Sequence, residues 1–190
     1  EFLDKFSPNI IENGGNLPSL ISQDLQEKVK NLLIRAAKSI GVKNGIIKGD
    51  IVVHNKIPYI IELATRLSGG YFCSHEIPAN TGIEFVKLAI KQCLGEFIDR
   101  NELAIKKITP VAQRYWFPNE GEVKEIIGID KYKNNENVIL LEIRVKEGDR
   151  IQKINSHPGR AGVVITKGKS VNEAVLLAEE IVNNIIIKIK

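Results

Sequence analysis

Residues 48–70, KGDIVVHNKIPYIIELATRLSGG, decide how this chain is read. Two apolar runs, residues 45–53 and 57–64, flank the polar segment His54-Asn55-Lys56 and read as a β-hairpin. The hairpin runs out into a basic, glycine-bearing loop, Arg66-Leu67-Ser68-Gly69-Gly70. Asp50 on the first strand is followed twelve residues later by Glu62 on the second. Side chains alternate faces along a strand, so the two acids share a face only if the register is even. A turn of three or five residues meets that condition; a two-residue turn does not. Pro58 removes a ladder donor, so loose pairing is expected near the turn.

Carboxylates held close together repel unless a cation sits between them. Magnesium takes one or two carboxylates together with phosphate oxygens and water. Asp50 and Glu62 supply the carboxylates, while Arg66 and the amides of Ser68, Gly69 and Gly70 suit the phosphates. Together they describe a magnesium–nucleotide site. The other reading places both acids in solvent on the outer face of an amphipathic hairpin. The residues alone leave both readings open.

With 190 residues the chain can bury one good core or two small ones. Its 43% hydrophobic and 26% charged residues are ordinary for a globular protein. The net charge of +4 comes from 27 basic and 23 acidic residues that are interspersed, which argues against a nucleic-acid reader. No apolar run approaches the roughly 20 residues of a membrane helix. Without a signal peptide as well, the expectation is a soluble cytoplasmic protein. Cys73 and Cys93 lack metal-type spacing and read as free thiols. The chain has no Met and opens on EFLDKF, which suggests an excerpt or a processed product.

Residues 1–21 read as irregular, with Asn13-Gly14-Gly15-Asn16-Leu17-Pro18-Ser19 as a loop signal. Ser22 then caps a helix whose stripe is Leu25, Val29, Leu32, Leu33, Ala36, Ala37 and Ile40, closed by Gly41. After the hairpin the chain reads as irregular through residues 74–78. Thr81-Gly82-Ile83-Glu84 reads as a capping box, opening a helix that buries Val86, Ala89, Ile90, Cys93 and Leu94. A boundary falls within residues 101–110, and mostly β structure follows. Strands are expected at 111–117, 123–129, 138–146, 162–166 and 185–190, with a helix capped by Ser170 before the last. Tyr115-Trp116-Phe117 reads as core or interface. The fold class is α+β.

In this order, residues 13–95 resemble the distal part of an ATP-grasp domain. That is the fold of biotin carboxylase, carbamoyl-phosphate synthase and many carboxylate–amine ligases. Gly14-Gly15-Asn16-Leu17-Pro18-Ser19 precedes the helix as a similar loop does in the family, and Asn44-Gly45 opens the strand bearing the first acid. Glu62 follows at the family's twelve-residue interval. The family's E-x-N-x-R is matched by Glu62-Leu63-Ala64-Thr65-Arg66, with Ala64 in place of the Asn that often completes metal coordination. Arg66-Leu67-Ser68-Gly69-Gly70 resembles the R-x-x-G-G ending of stand-alone amine ligases. Lys48 stands where His or Thr is frequent, either meeting a carboxylate substrate or solvated. Residues 110–190 resemble the β-rich region that follows the ATP-grasp core, with residues 144–149 and 159–164 as matching turns.

The resemblance implies residues 1–105 as the magnesium and phosphate side of an ATP-grasp domain, an antiparallel sheet with flanking helices. Residues 106–190 would form a small β-rich C-terminal domain with a closing helix. The implied activity is that of a ligase: ATP converts a carboxylate to an acyl phosphate, and an amine displaces phosphate. Asp50 and Glu62 would ligate magnesium, Arg66 would be catalytic, and Arg66, Ser68, Gly69, Gly70 and Lys48 would bind cofactor. ATP and magnesium are the implied cofactors; a small-molecule carboxylate and an amine are the partners, with no nucleic acid and no membrane. In the family the nucleotide is clamped between two subdomains, so an upstream subdomain or a partner subunit is implied. A homodimer is a further expectation. Two alternatives accompany this reading: a non-catalytic fragment or regulatory subunit that supplies an interface, and a carbamoyl-phosphate synthase-like protein using bicarbonate. His75, His157 and Arg160 are loop residues that either border the site or serve structure.

Overall fold

Every strand pairing in the structure is antiparallel, and helices lie between or over the strands, so the fold is α+β. The structure is a computed structural model and describes residues 6–190. In chain order the strands and helices begin with β1 (Gly14–Leu17), α1 (Gln23–Ser39), β2 (Lys48–His54), β3 (Ile57–Ala64), α2 (Ile77–Thr81) and α3 (Phe85–Cys93). There follow β4 (Val111–Trp116), β5 (Gly121–Ile127), β6 (Val138–Ile143), β7 (Arg150–Ile151), β8 (Gly162–Lys167), α4 (Val171–Asn184) and β9 (Ile186–Ile189). Among the described residues no helix is long and apolar enough to cross a membrane.

One unit comprises residues 6–18, Ala79–Thr81 and Lys107–Lys190. Its larger sheet has the order β1-β4-β8-β6, and a second sheet the order β7-β5-β9. β4 is buried along its whole length and β8 along all but its last residue. α4 covers β4 and β8 with Ala174, Ala178 and Ile181, which are wholly buried against Ala112, Trp116 and Val164. Ser170 caps α4 by accepting from the Glu173 amide at 3.1 Å. At the other end the Trp116 Nε1 donates to the carbonyls of Val182 (3.2 Å) and Ile185 (3.1 Å). Tyr115 and Trp116 are therefore core. Each fully buried Val or Ile contributes roughly 1.5–3 kcal/mol, so most of the stabilisation lies here.

The expectation that residues 1–21 are irregular needs correction for the part described. Residues 14–17 pair with β4 in the register Gly14↔Arg114 to Leu17↔Val111. The run GGNL has no alternation to announce a strand. It is a strand because Gly14 lies so close to β4 that a Cβ there would fall 1.9 Å from the Gln113 carbonyl oxygen, at a φ of +148°. Residues 1–5 of that expectation lie outside the described residues.

The other unit comprises Ser19–Pro78 and Gly82–Lys106. Ser22 caps α1, accepting from the Leu25 amide at 3.4 Å, and Gly41 follows the helix with φ +80°. Only Leu25 of the α1 stripe is buried, and Ile40 is 58% exposed. Residues 72–81, expected to be irregular through 74–78, form a π-helical turn, Phe72–Glu76, followed by α2. Pro78 sits in the first turn of α2 and Gly82, at φ +74°, ends it. Thr81 therefore closes a helix, and the Thr81–Glu84 capping box does not form; Glu84 precedes α3 without a side-chain cap. The buried face of α3 is also rotated from the expected one, with Leu88 and Ala89 inside. Ile90, Leu94 and Cys93 are exposed, so Cys93 is not a core residue.

Candidate functional site

The β2–β3 ribbon carries the residues singled out by their chemistry. Its turn is the two residues Asn55 and Lys56, since His54 pairs with Ile57, and both turn residues have positive φ (49° and 61°). That twist matches the strands, as in a type I′ hairpin. In an unbroken ladder this turn would put Asp50 opposite Ile61, leaving Glu62 on the other face. Instead a bulge intervenes: Ile51 pairs with Ile60, and the next pair is Asp50 with Glu62. Ile61 is the extra residue. Exposure follows suit, alternating along β3 until Ile61 and Glu62, which are both exposed. The rule that a two-residue turn separates the acids is thus overturned by a bulge. Pairing also persists at Pro58, opposite Val53, one step from the turn-closing pair. Alternation places that step at a non-hydrogen-bonded site, where no donor is needed.

The other face of the ribbon packs on α1. A Cβ at Gly49 would meet the Leu33 side chain at 2.5 Å, so glycine there lets helix and strand approach. The face bearing the acids is left open. At one end it carries two cross-strand pairs, Lys48 with Ala64 and Asp50 with Glu62. Toward the turn the same face continues in Val52, paired with Tyr59, and in Ile57; these three are about half exposed.

Four charges meet at the open end. The Lys48 ammonium contacts Asp50 directly and lies 3.4 Å from Glu62 Oε1. Arg66 lies 3.9 Å from the same Glu62 oxygen, and its guanidinium also donates to the Leu67 carbonyl at 3.0 Å. The hydrogen bond to Asp50 raises the proton affinity of Lys48 above the usual lysine value; burial opposes this, and the charge of Asp50 and the contacts with Glu62 reinforce it. Surface ion pairs of this kind contribute about 0–1 kcal/mol, so the cluster is not explained as a source of stability. The reading of both acids as merely solvated is too simple: each is half exposed, and each is paired.

The described residues contain no group of three or more His, Cys, Asp or Glu side chains placed to hold a metal. Asp50 and Glu62 form a pair, which is the protein share magnesium ordinarily takes when phosphate and water complete its shell. A cation, the Lys48 ammonium, already lies against both carboxylates. The donor set therefore fits magnesium presented with phosphate. Beyond Arg66, Gly70 and Tyr71 both adopt left-handed backbone (φ 64° and 70°), and the Phe72 amide donates back to the Gly69 carbonyl at 3.2 Å. Gly69, Gly70, Tyr71 and Phe72 thus form a tight turn, with Ser68 just before it in sequence. Cys73 is buried behind that turn, and burial raises its thiol above the usual range.

The structure separates the loop residues left open. Arg160 is a structural clasp: its guanidinium donates to the Glu12 carbonyl at 2.7 Å, and its central carbon lies over the Tyr115 ring, 3.8 Å from the ring centre. The Glu12 amide donates to His157 Nε2 at 3.3 Å. His75 packs edge-on against Tyr71 and hydrogen-bonds with Ser74 Oγ at 2.9 Å. The apolar half of the open ribbon face is not announced by the sequence, because Val52 and Val53 are both apolar and give no alternation.

Residues 114–190 match the family model described as L-amino acid ligase C-terminal domain 2. No curated protein matches the sequence. Phosphoribosylglycinamide synthetase from Anaerococcus prevotii is similar in structure, with a TM-score of 0.83 and 24% identity over 97% of this chain. L-amino acid ligase from Bacillus licheniformis gives a TM-score of 0.81 at 20% identity over 94% of this chain. The chain has the fold of the C-terminal part of ATP-grasp ligases. It spans 47% and 46% of those two proteins, so about half their length. The ATP-grasp fold extends to a more distant likeness, the biotin carboxylase domain dimer of 2-oxoglutarate carboxylase from Hydrogenobacter thermophilus. That structure contains MgADP, ADP and bicarbonate; it gives a TM-score of 0.68 at 17% identity, covering 93% of this chain and 39% of its own.

Proposed function

We propose that this chain is the magnesium- and phosphate-binding part of an ATP-dependent ligase that joins a carboxylate to an amine. The observation that carries the proposal is the bulge at Ile61, which sets Asp50 opposite Glu62 on the open face of the ribbon. On that face a charged end grades into an apolar one, Val52 with Tyr59 and Ile57. The outline suits a nucleotide, with its polyphosphate at the carboxylates and its flat base on the apolar side chains. Magnesium would be held by Asp50 and Glu62 and would neutralise phosphate oxygens. The match of residues 114–190 to an L-amino acid ligase domain supports an amino acid as the carboxylate substrate.

In the proposed reaction a substrate carboxylate oxygen attacks the γ-phosphorus of ATP, and ADP leaves with the bonding pair. The amine nitrogen then attacks the acyl carbon, loses a proton, and phosphate departs. Arg66 steadies the charge spread over the transferred oxygens, which is largest in the transition state. Ser68, Gly69 and Gly70 shape the substrate side. Lys48 contacts phosphate or substrate carboxylate. Another segment or subunit supplies the opposite wall, because a two-stranded ribbon with an exposed apolar face is only one side of an enclosed site. In this proposal residues 1–105 serve metal and phosphate through the ribbon, and residues 106–190 serve as the β-rich domain, whose larger sheet also takes in β1.

The test is ADP release by the full-length protein, dependent on added L-amino acids and an amine. Glu62→Ala and Arg66→Ala are each expected to lower kcat on the order of 10²–10³-fold. Unchanged turnover in both would show that the roles are misassigned. A second reading, a chain that keeps the fold without activity, draws on Ala64, whose methyl offers no ligand beside Glu62. Under that reading calorimetry with magnesium and ATP registers no binding.

A further inference from the structure

Among the four charged side chains at the open end of the ribbon, Lys48 is the covered one. Its side chain is 18% exposed, against 52% for Asp50, 55% for Glu62 and 58% for Arg66. Lys48 is directly opposite Ala64 across the ladder, and its ammonium points at the acids. The ammonium then touches Asp50 and lies within 3.4 Å of Glu62. A divalent ion shared by the same two carboxylates would need that place. Two carboxylates against Lys48 and Arg66 also make the cluster neutral as it stands. A divalent ion arriving alone would leave it with an excess of positive charge; a polyphosphate arriving with the ion would not.

We propose that Lys48 is a tethered counter-ion that closes the Asp50–Glu62 pair to a free divalent cation. The pair opens when phosphate oxygens take over the ammonium. This rests on the reading of Asp50 and Glu62 as magnesium ligands given above. The ammonium is a point charge with three rotatable donors on a flexible stem, so it can exchange carboxylate oxygens for phosphate oxygens without moving the backbone. Metal and nucleotide then bind as a pair, each poorly without the other. Lys48 acts here as a positioning residue, setting the order and coupling of binding.

The experiment is a Mn²⁺ titration of the full-length protein, read by electron paramagnetic resonance, with and without a non-hydrolysable ATP analogue. Wild type, Lys48→Met, Lys48→Gln, Lys48→Arg and Glu62→Gln are compared, each first shown to be folded by circular dichroism. Removing one positive charge a few ångströms from the metal should tighten free Mn²⁺ by about tenfold in Lys48→Met and Lys48→Gln. Lys48→Arg should bind Mn²⁺ as weakly as wild type. The analogue should tighten Mn²⁺ strongly in wild type and much less in the two neutral variants. If the neutral variants bind free Mn²⁺ no tighter than wild type while Glu62→Gln loses it, the metal site stands and the role of Lys48 falls. If Glu62→Gln matches wild type throughout, the carboxylate pair is not the metal site, and both readings fall.

Discussion

Arg160 brings a full charge to a place where its side chain is 5% exposed, and the structure shows how that is tolerated. One guanidinium nitrogen donates to the Glu12 carbonyl, the guanidinium carbon lies over the Tyr115 ring, and Tyr115 is held in turn by its hydroxyl donating to Gln113 Oε1 at 2.8 Å. Its Nε alone is buried with no hydrogen-bond partner in the described structure, so the fit is not complete. Burial lowers the proton affinity of Arg160, while Tyr115 and Glu12 oppose that shift. Removing the side chain would empty the space over Tyr115 and release the Glu12 segment. Arg160→Ala is therefore expected to lower the unfolding free energy by about 3 kcal/mol in urea titrations. Arg160→Lys should recover less than half of it, because a compact ammonium does not cover the Tyr115 ring as the broader guanidinium does. A loss under about 0.5 kcal/mol for Arg160→Ala would remove the clasp from the account. Nothing in the sequence distinguished this arginine from one bordering a site: its partner Glu12 lies 148 residues away.

At the scale of elements, the ribbon shows what periodicity can and cannot deliver. The apolar runs 45–53 and 57–64 around a polar turn made both strands legible, and the caps Ser22 and Ser170 made two helices legible. The bulge was not legible, because Ile60 and Ile61 are the same residue type and nothing local says which of them leaves the ladder. The spacing of Asp50 and Glu62 was visible; the reason it works was not. β1 and α3 were misread for related reasons. Gly14 is a strand residue only because β4 lies against it, and the exposed Ile90, Cys93 and Leu94 obey helical spacing without having a partner layer in their unit. The bulge supports a direct prediction. Deleting Ile61 converts the ladder to a regular one in which Ile51 still faces Ile60 and Asp50 still faces Glu62. Mn²⁺ binding in the presence of the ATP analogue should then stay within about threefold of wild type, since the facing pairs of the pleat are kept. Loss of binding in the deletion variant would mean that the local bend of the bulge, and not the pairing alone, builds the site.

The two units of the molecule differ in how well each is cored. In the unit containing β4, β8 and α4, Val111, Ala112, Val163, Val164, Ile165, Ala174, Ala178 and Ile181 have no exposed surface. In the unit formed by Ser19–Pro78 and Gly82–Lys106, the most deeply buried apolar residues, Cys73 and Leu88, still keep 5%. That second unit also rests on a two-stranded sheet, which depends on packing against α1 in place of a third strand. Local stability follows buried apolar contact, so the units should open separately. In hydrogen exchange on the 190-residue chain, the amides of β4, β8 and α4 should exchange last, and those of β2 and β3 well before them. Calorimetry should show two transitions in place of one, the lower belonging to the ribbon unit. In the full-length protein, magnesium with the ATP analogue should slow exchange in β2 and β3 while leaving β4 and β8 unchanged, because a ligand stabilises only what it binds in the folded state. A single transition with uniform protection would show that the ribbon unit is cored as well as its neighbour. The reading of the ribbon as one wall of a larger site would then lose its physical basis.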